Sequence, residues 1–474
     1  MNSSHCPPTG AILRSCLCVG WAVWGVAAPV EAADIFVRDV AEFDAGLKLA
    51  QPGDTLILAD GEWRDADLRL RGVGKASAPI VLRAQTPGKV VLTGKSRLRI
   101  GGEYLVARDL LWRDTAAQDG TVSFRLDSKS LAAHCRLEQC AILGDLPDQE
   151  RKWVSVYGVD NVVERCRFEG KQSRGTLLVV WLPAEAPQHH VRGNFFGPRA
   201  RLGKNGGEII RVGDSDTSLQ KALCDVSQNY FYRCDGEAEI ISNKSCGNMY
   251  TANAFVGCSG ALTLRHGNDC FVAFNFFYGD GRKGTGGVRV IGEGHEVNGN
   301  WFVGLTGDDT RAALCLMNGL VDSPPNGYFQ VRRALVKANR FLDCKETFVV
   351  GNADEDQQRQ TLAPDQCELI DNRVVAARPV FVVRTPPTHF HCVDNSYAAG
   401  ELGLADSAGW RKADRAELGL DDGAKRPEKF GGAPGRGAFP SPKSTGPDWL
   451  SPGDEFLPQM LQSKVASATR DSAR

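Results

Sequence analysis

An asparagine followed by an aromatic or apolar pair recurs along the middle of the chain and constrains the fold more than any other feature. The clearest copies begin at Asn194, Asn229, Asn253, Asn275, Asn300 and Asn339, with weaker ones at Cys166, Asn372 and Asn395. In the most regular region the spacings are 24, 22 and 25 residues. A fixed period of this length indicates a solenoid, in which each repeat packs on its neighbours.

Within each repeat, apolar and polar residues alternate as in strands, and Gly, Asp and Asn separate the alternating runs. This pattern predicts an all-β fold, a single-domain parallel β-helix with about one coil per repeat. Successive coils should lie about 4.8 Å apart, so that residues one period apart are neighbours. The asparagine is expected at a tight corner because it tolerates the left-handed conformation. Helical spacing from Val40 to Ala50 predicts a short N-terminal capping helix.

Residues 1–32 are predicted to be a signal peptide. Arg14 precedes a short uncharged apolar run from Cys16 to Val30, and a small-x-small cleavage site lies before Ala33. The run is too short for a comfortable membrane span, although an uncleaved anchor is the alternative. We therefore expect export to the periplasm or beyond, and no membrane span in the mature chain.

The repeat fades after Asn395, so the β-helix domain is predicted to occupy residues 33–400. Residues 401–474 are predicted to form a C-terminal extension that is partly disordered. Trp410 to Leu420 is interpreted as a short helix, and the segment 421–452 is rich in Gly, Pro, Ser and Lys, which bury little apolar surface. We expect a single catalytic domain, without a second β-helix after Asn395.

Charge and cysteine usage exclude several classes of function. The net charge of −1 provides no overall field for nucleic acid or a membrane surface, so any anion site must be local. Cys234, Cys246, Cys258 and Cys270 are twelve residues apart, which indicates stacked interior cysteines that act as small apolar groups. The sequence has no C-x-x-C zinc pattern.

Four successive repeats contain a strand that opens with glycine, at Gly206, Gly236, Gly260 and Gly286. Aligned on these glycines, Arg211 and Arg265 share one column, and a second column holds Glu239, Thr263 and Arg289. Charged side chains are rarely buried without partners, so this face should point outward. It then presents a compact set of charged residues: Glu237, Glu239, Arg211, Arg265 and Arg289, with Lys244 and His266 beside them.

Such a set suits a polymer of uronic acids. Arginines bind carboxylates in a bidentate manner, and two glutamates among them would repel the polymer unless they held a hard cation such as Ca²⁺ or Mg²⁺. A lysine could then remove the C5 proton of a uronate, and an arginine could assist the leaving oxygen. Hydrolysis by two carboxylates is the alternative, but Glu237 and Glu239 point to the same side of one strand and cannot easily flank a glycosidic bond. A plain solvated strand face is the alternative without chemistry.

The runs EAEIISNKS at 237–245, RHG at 265–267 and GGVRV at 286–290 resemble those of polysaccharide lyase family six, the alginate lyase and chondroitinase B family. Similar segments, including PGDTLILADGEW near the N-terminus, extend the resemblance from about Asp34 to Asn395. The resemblance implies a right-handed parallel β-helix. It also implies a role for each site residue: Lys244 as Brønsted base, Arg265 as Brønsted acid, Asn205, Glu237 and Glu239 as Ca²⁺ ligands, and Arg211, His266 and Arg289, with Tyr157 and Tyr328 as looser matches, in substrate binding.

The resemblance thus predicts a lyase that acts on an acidic polysaccharide and leaves 4,5-unsaturated oligosaccharides. Alginate is the expected substrate because it is the commoner one among such lyases. Dermatan sulfate is the alternative within the family. A catalytically silent β-helix that only binds polysaccharide is the alternative from another class, and the intact pair of Lys244 and Arg265 argues against it.

Overall fold

The computed structural model describes residues 32–118, 120–146, 150–183, 186–352, 360–420 and 439–450. Almost all of the predicted signal peptide lies outside these residues. Three long parallel sheets run the length of the molecule, and successive strands of the chain pass from one sheet to the next. This arrangement is a parallel β-helix, as the repeat predicts.

Each sheet gathers one strand from most coils. Sheet 1 has 14 strands: Asp34–Val37, Thr55–Leu58, Ile80–Ala84, Leu105–Arg108, Arg136–Glu138, Val162–Glu164, His190–Arg192, Asp225–Ser227, Met249–Thr251, Phe271–Ala273, Glu296–Asn298, Leu335–Lys337, Glu368–Ile370 and His391–Val393. Sheet 2 also has 14: Gly61–Arg64, Val90–Thr93, Leu111–Thr115, Ala141–Asp145, Arg167–Glu169, Phe195–Phe196, Tyr230–Tyr232, Ala254–Val256, Phe276–Tyr278, Trp301–Val303, Arg340–Leu342, Arg373–Val375, Asn395–Ala398 and Trp410–Lys412. Sheet 3 has 13: Asp67–Val73, Arg97–Glu103, Val122–Ser123, Ala132–Ala133, Val154–Val156, Leu178–Val180, Ile210–Gly213, Glu239–Lys244, Ala261–His266, Val288–Val290, Leu314–Leu316, Phe348–Val350 and Phe381–Val383.

The predicted capping helix is present at Val40–Leu49. The side chain of Asp39 accepts a hydrogen bond from the backbone N–H of Glu42 and so caps its first turn. Phe43 and Leu47 are buried against the first coils, which covers the open end of the core. Two short 3₁₀ helices, Ser215–Thr217 and Asp309–Arg311, lie in the connections after later strands. No helix in the described residues is long and apolar enough to cross a membrane.

The repeated asparagine has a different role from the one expected. The left-handed conformation falls on the residue before it, with φ of 58° at Gln228 and 54° at Ala252. The asparagine side chain is buried, and in Asn229 it donates to Oδ1 of Asn253, 3.0 Å away in the next coil. The same bond links eight coils, through Asn194, Asn229, Asn253, Asn275, Asn300, Asn339, Asn372 and Asn395. The residue is therefore required for the hydrogen bonds of its amide, because each buried amide must find partners.

The aromatic residue two positions later forms a second ladder inside the β-helix. Neighbouring rings stack with centroids 4.5 to 5.2 Å apart along the series Phe168, Phe196, Phe231, Phe255, Phe277, Phe302 and Phe341. The cysteines are also interior, as expected. Cys234 and Cys258 stack one coil apart, and the described residues contain no disulfide. Stacking of like residues keeps the coils in register because a slip would misplace every ladder at once.

The C-terminal part departs from the expectation in two places. Residues Trp410–Lys412 form a strand that pairs with Asn395–Ala398, and turns follow it, so the prediction of a short helix from Trp410 to Leu420 is wrong. Part of the Gly/Pro-rich stretch, residues 439–450, packs back on sheet 2, where we expected little burial. There Trp449 donates its indole N–H to the carbonyl of Gln139, which lies 310 positions earlier. One tryptophan and a few local turns can thus anchor a segment of poor overall hydrophobicity.

Candidate active site

One outward-facing column of sheet 3 carries two of the predicted site residues, Arg211 and Arg289, and passes through the strands that hold several of the others. Backbone pairing places the following residues in register, one per coil: Arg99, Ser123, Ser155, Val179, Arg211, Ser242, Thr263 and Arg289. We call these residues the outward column. Its central members lie on two adjacent strands, Glu239–Lys244 and Ala261–His266, which we call the central pair.

The columns obtained by aligning glycines are wrong in part. Arg211 is in register with Ser242 and, one coil further, Thr263, so it does not share a column with Arg265. Glu239 pairs with Ala261 and not with Thr263. Only the predicted pairing of Thr263 with Arg289 is observed. The alignment failed because it assumed an unbroken register.

Two β-bulges interrupt the register of the central pair. Ile240 is the extra residue of the first bulge, and Arg265 is the extra residue of the second. Beyond the second bulge, Lys244 pairs with His266. A bulge re-aims the side chains around it, and bulges are frequent next to active sites. Arg265 is thus displaced from the regular alternation of its strand. It lies at the same end of the central pair as Lys244, which is on the adjacent strand.

A buried polar network holds the strand end that carries Lys244. The side chain of Asn243 donates to the carbonyl of His266 and accepts from the hydroxyl of Tyr250, at 2.8 and 2.7 Å. Asn248 donates to the same Asn243 oxygen. The half-buried Lys244 ammonium itself has no hydrogen bond or ion pair with any described residue. A rigid support and a free amine are the requirements for a lysine that exchanges a proton with a ligand.

Arg265 is held by the connection that contains Tyr328. Its guanidinium donates to the carbonyl of Gly327 at 2.9 Å and lies 3.9 Å from the ring centre of Tyr328. Burial lowers the pKa of Arg265, which makes it a better proton donor than an exposed arginine. His266, beside it, is buried, and desolvation together with the charges of Arg265 and Lys244 lowers its pKa to about 3. The imidazole is therefore neutral at physiological pH.

Three carboxylates, Glu208, Glu237 and Glu239, lie near one another, and Glu239 also acts on the charge of Arg265. Glu237 accepts hydrogen bonds from the backbone N–H groups of Gly206 and Gly207, at 2.8 and 3.0 Å. Burial, followed by the charge of Glu208, raises the pKa of Glu237 to about 7. Glu239 forms an ion pair with Arg289. Glu208 was not predicted as a site residue, although it directly follows Gly206 and Gly207 in the sequence.

The donor set is suitable for a hard cation. Glu237, Glu208 and Glu239 supply carboxylate oxygens, and the exposed Asn205 directly precedes the amide groups that bind Glu237. A cation would favour the ionised form of Glu237, whose pKa is raised by burial and then by the charge of Glu208. However, Glu239 faces Arg289, and no group of three or more His, Cys, Asp or Glu side chains in the described ranges is arranged as a metal site. Calcium binding thus stays a prediction.

A stack of planar side chains leads away from Lys244 towards the N-terminal coils. The guanidinium of Arg211 lies 5.1 Å from the ring centre of Trp181, and Trp181 stacks on Tyr157 with centroids 5.8 Å apart. Tyr157 is therefore three coils away from Lys244, at the edge of the predicted site. Trp181 was missed, although the runs VSVY and LVVW place an aromatic residue at the same strand end one repeat apart.

The floor between these groups contains polar atoms without partners. Ser242 and Thr263 are fully buried, and neither hydroxyl has a hydrogen-bond partner among the described residues. The Nε atoms of Arg211 and Arg289, at the two ends of this stretch of the outward column, are also buried and unpartnered. Buried polar groups are normally satisfied, so four atoms without protein partners along one stretch of the outward column are an exception.

Comparison with known proteins shows the family and similar folds. The chondroitinase B family matches residues 37–382. The PL6 family alginate lyase AlyGC is 33% identical with a TM-score of 0.81, over 88% of this chain and 59% of AlyGC, so the chain spans 59% of that relative's length. A mannuronic acid specific polysaccharide family 6 lyase from human gut microbiota is 28% identical with a TM-score of 0.76, over 93% of this chain and 100% of that one.

The PL6 family polysaccharide lyase Pedsa3628 from Pseudopedobacter saltans has the same fold. It is 24% identical with a TM-score of 0.69, over 88% of this chain and 99% of that one. No curated protein sequence matches the chain. The match to the chondroitinase B family covers most of the chain, from the capping helix to the last strand of sheet 3. The chain therefore belongs to the chondroitinase B family, polysaccharide lyase family six.

Proposed function

We propose that the protein is an exported lyase that cleaves alginate by β-elimination. The observation that carries the proposal is the second bulge of the central pair, which brings Lys244 and Arg265 to the same strand end. The amine of Lys244 is free of protein partners, whereas the guanidinium of Arg265 is fixed by Gly327 and Tyr328. An amine that is free of protein partners and a fixed donor suit an elimination across one sugar ring.

The proposed reaction moves one proton to Lys244 and delivers one to the leaving oxygen. Nζ of Lys244 takes the proton from C5 of a uronate, the electrons of that bond form the C4–C5 double bond, and the C4–O bond breaks. Arg265 donates to the glycosidic oxygen as it leaves. The products are a new reducing end and an oligosaccharide that begins with a 4,5-unsaturated uronate.

Substrate carboxylates are proposed to bind along the outward column. Arg211 and Arg289 would hold carboxylates, and neutral His266 would hydrogen-bond hydroxyls. We further propose that Asn205, Glu237 and Glu239 bind Ca²⁺, with Glu208 nearby. When bound, the ion would draw charge from the uronate carboxylate and so acidify C5–H. Tyr328 would contact the sugar beside Arg265, and Tyr157 a sugar several residues away.

Alginate is favoured because two relatives above 25% identity are named an alginate lyase and a mannuronic acid specific lyase. Dermatan sulfate is the second candidate because the matching family bears the name of chondroitinase B. Export rests on the predicted signal in residues 1–32, with the periplasm or the medium as the destination. Sequencing the N-terminus of the secreted protein would test this, since cleavage before Ala33 is expected.

The activity is tested by mixing the protein with alginate, dermatan sulfate or polygalacturonate and following the ultraviolet absorbance of the new double bond. We expect a signal on alginate that falls after treatment with a chelator and returns on addition of Ca²⁺. Absence of signal on every uronate polymer would refute the lyase proposal. A larger signal on dermatan sulfate than on alginate would make dermatan sulfate the proposed substrate. A signal that does not change with chelator would contradict only the proposal that Ca²⁺ takes part.

A further inference from the structure

The stack of planar side chains beside Lys244 ends in a second cationic pocket. Strand ends in register place Arg125, Tyr157 and Trp181 one above another, and the next positions in the same line are Gly213 and Lys244. The guanidinium of Arg125 lies 3.9 Å from the ring centre of Tyr157. The line therefore runs from Arg125 to the proposed base along one edge of sheet 3.

This stack holds two guanidinium groups at a fixed separation. Arg125 covers the outer face of Tyr157, Trp181 stacks on Tyr157, and Arg211 covers Trp181. The two arginines are three coils apart, about 14 Å at the usual strand spacing. A guanidinium that lies flat on an aromatic ring keeps its N–H edges free for a carboxylate. The rings thus set the distance between two carboxylate-binding groups.

Gly213 keeps the line open next to Lys244. Its φ is 79°, and a Cβ at this position would lie 2.7 Å from the carbonyl oxygen of Lys244. Position 213, which lies in line between Trp181 and Lys244, therefore has no room for a side chain. A polymer bound at Lys244 meets no obstruction from this position as it continues towards Arg125.

The pocket at Arg125 has a volume of about 320 Å³. Arg97, Arg99, Ser123 and Ser155 line it together with Arg125 and Tyr157. Its position on the outward column places it on the same face as Ser242 and Thr263, four or so coils towards the N-terminus. The pocket is thus a continuation of the candidate active site and not a separate depression.

The charge of Arg125 is available to a ligand. Arg97 and Arg99 share the carboxylate of Asp67, at 3.0 and 2.6 Å; burial alone would raise the pKa of Asp67, but their hydrogen bonds lower it to about 2. Arg125 has no ion pair with any residue that the structure describes. Asp127 also lines the pocket, and its carboxylate accepts hydrogen bonds from two backbone N–H groups of its own loop, so two carboxylates stand against three arginines. The pocket therefore retains one uncompensated cation.

We propose that this pocket is a distal subsite that binds a uronate carboxylate of the same polymer, about three sugar residues from the one at Arg211. The proposal rests on the proposed function and adds the length of chain that the groove recognises. One coil is close to the length of one sugar residue, so the two arginines match carboxylates three residues apart. An oligosaccharide too short to span the stack can use only one of them.

The test compares long and short substrates in one variant. Arg125→Gln removes the charge and keeps a side chain of similar shape, and the substrates are mannuronate octamer and trimer. A charge-assisted hydrogen bond corresponds to about 10- to 100-fold in affinity, so the ratio of kcat/KM on the octamer to that on the trimer should fall by about 10-fold or more. Arg136→Gln, a half-exposed arginine on sheet 1, is the matched control, and its ratio should stay unchanged.

Equal losses on both lengths, or no loss on the octamer, would overturn the distal subsite. Thermal unfolding of Arg125→Gln shows whether the fold is intact. If the wild-type protein cleaves no polymer, the proposed function fails separately, and the subsite is then tested by calorimetry. In that case the wild type should bind the octamer more tightly than the trimer. Arg125→Gln should bind the two with similar affinity. A loss seen only with dermatan sulfate octasaccharide would assign the pocket to a sulfate instead of a carboxylate.

Discussion

Sheets 1 and 3 both carry arginines that pair with carboxylates on their outer faces, but sheet 3 also carries cations that have no carboxylate partner among the described residues. On sheet 1, Arg136 and Arg192 both contact Glu164, at 3.0 and 2.7 Å. On sheet 3, Arg211 and Lys244 form no ion pair within the described residues. Charge density alone therefore does not identify the site. The difference lies in whether the protein neutralises its own charges or leaves them to a ligand.

Pocket size would have led to the wrong face. The depression on sheet 1, lined by Tyr104, His134, Arg136 and His190 among others, has a volume of about 610 Å³, against about 320 Å³ for the pocket at Arg125. Its polar groups already pair with one another, as in the 2.8 Å contact of His134 with Asp160. An anion bound there would have to displace existing partners, which costs free energy.

The largest expected effect is at the proposed base. Lys244→Ala should lower kcat by about 10³-fold or more, because a positioned general base contributes about 10²- to 10⁴-fold. Lys337→Ala removes an exposed lysine from sheet 1 and should leave kcat unchanged. Both are measured by the absorbance of unsaturated product, with unfolding curves to verify the fold. An active Lys244→Ala protein would show that another group removes the proton.

Substitution of an arginine on sheet 3 should lower activity less than substitution of Lys244. Arg211→Gln should lower kcat/KM by about 10- to 100-fold, because a charge-assisted bond to a carboxylate is lost. Arg192→Gln, on sheet 1, should change kcat/KM by less than about two-fold, since its ion pair is half exposed and has little energetic value. Similar losses in the two variants would mean that the polymer also contacts sheet 1, and the comparison between the sheets would fail.

Removal of a buried hydroxyl from the outward column should lower kcat/KM less than removal of an arginine. Thr263→Val keeps the shape and removes a buried hydroxyl that has no protein partner. We expect kcat/KM to fall about 2- to 10-fold, while the free energy of unfolding stays equal or rises. Thr251→Val on sheet 1 is the control for the change of side chain and should leave kcat/KM unchanged. A destabilised Thr263→Val protein with normal kinetics would assign the hydroxyl a structural role.

The fold could be predicted well from the sequence because the residues that repeat along the chain are the same residues that form the stabilising ladders. The asparagine recurs in eight coils and the stacked phenylalanine in seven, so the period is visible before any contact is known. The role of the asparagine was not predictable from turn preference. Its side-chain amide bonds cross from coil to coil, and only the packed interior explains why a buried amide is needed at every corner.

The arrangement of the candidate site was harder to predict from the sequence, for a physical reason. Its residues were found by type and by family resemblance, but their columns depend on the two bulges at Ile240 and Arg265, which shift the register by one residue each way. No glycine or proline marks either bulge, so the alignment on glycines could not detect them. Trp181 and Arg125 were missed because their partners lie one coil away, at strand ends whose loops differ in length.

The smallest expected effect is a pH dependence on sheet 1. The carboxylate of Asp225, 3.7 Å from Nδ1 of His190, raises the pKa of His190 above its ordinary value; Asp160, 3.5 Å from Nε2, adds to this, and Arg192 opposes it. A raised pKa in the folded state means that the stabilisation is complete below the unfolded value of about 6.5 and is lost as the pH rises through the folded one.

His190→Gln should therefore lower the free energy of unfolding at about pH 5.5 by less than about 1 kcal/mol, given the exposure of the group, and should have no effect at about pH 8.5. Chemical denaturation at the two pH values measures the difference. His391→Gln, exposed on the same sheet, is the control and should give the same result at both. Catalytic rates should be equal to wild type in both variants, because protonation on sheet 1 alters a face whose charges the protein neutralises itself. A change in kcat/KM in His190→Gln alone would show that the two faces are coupled through the core.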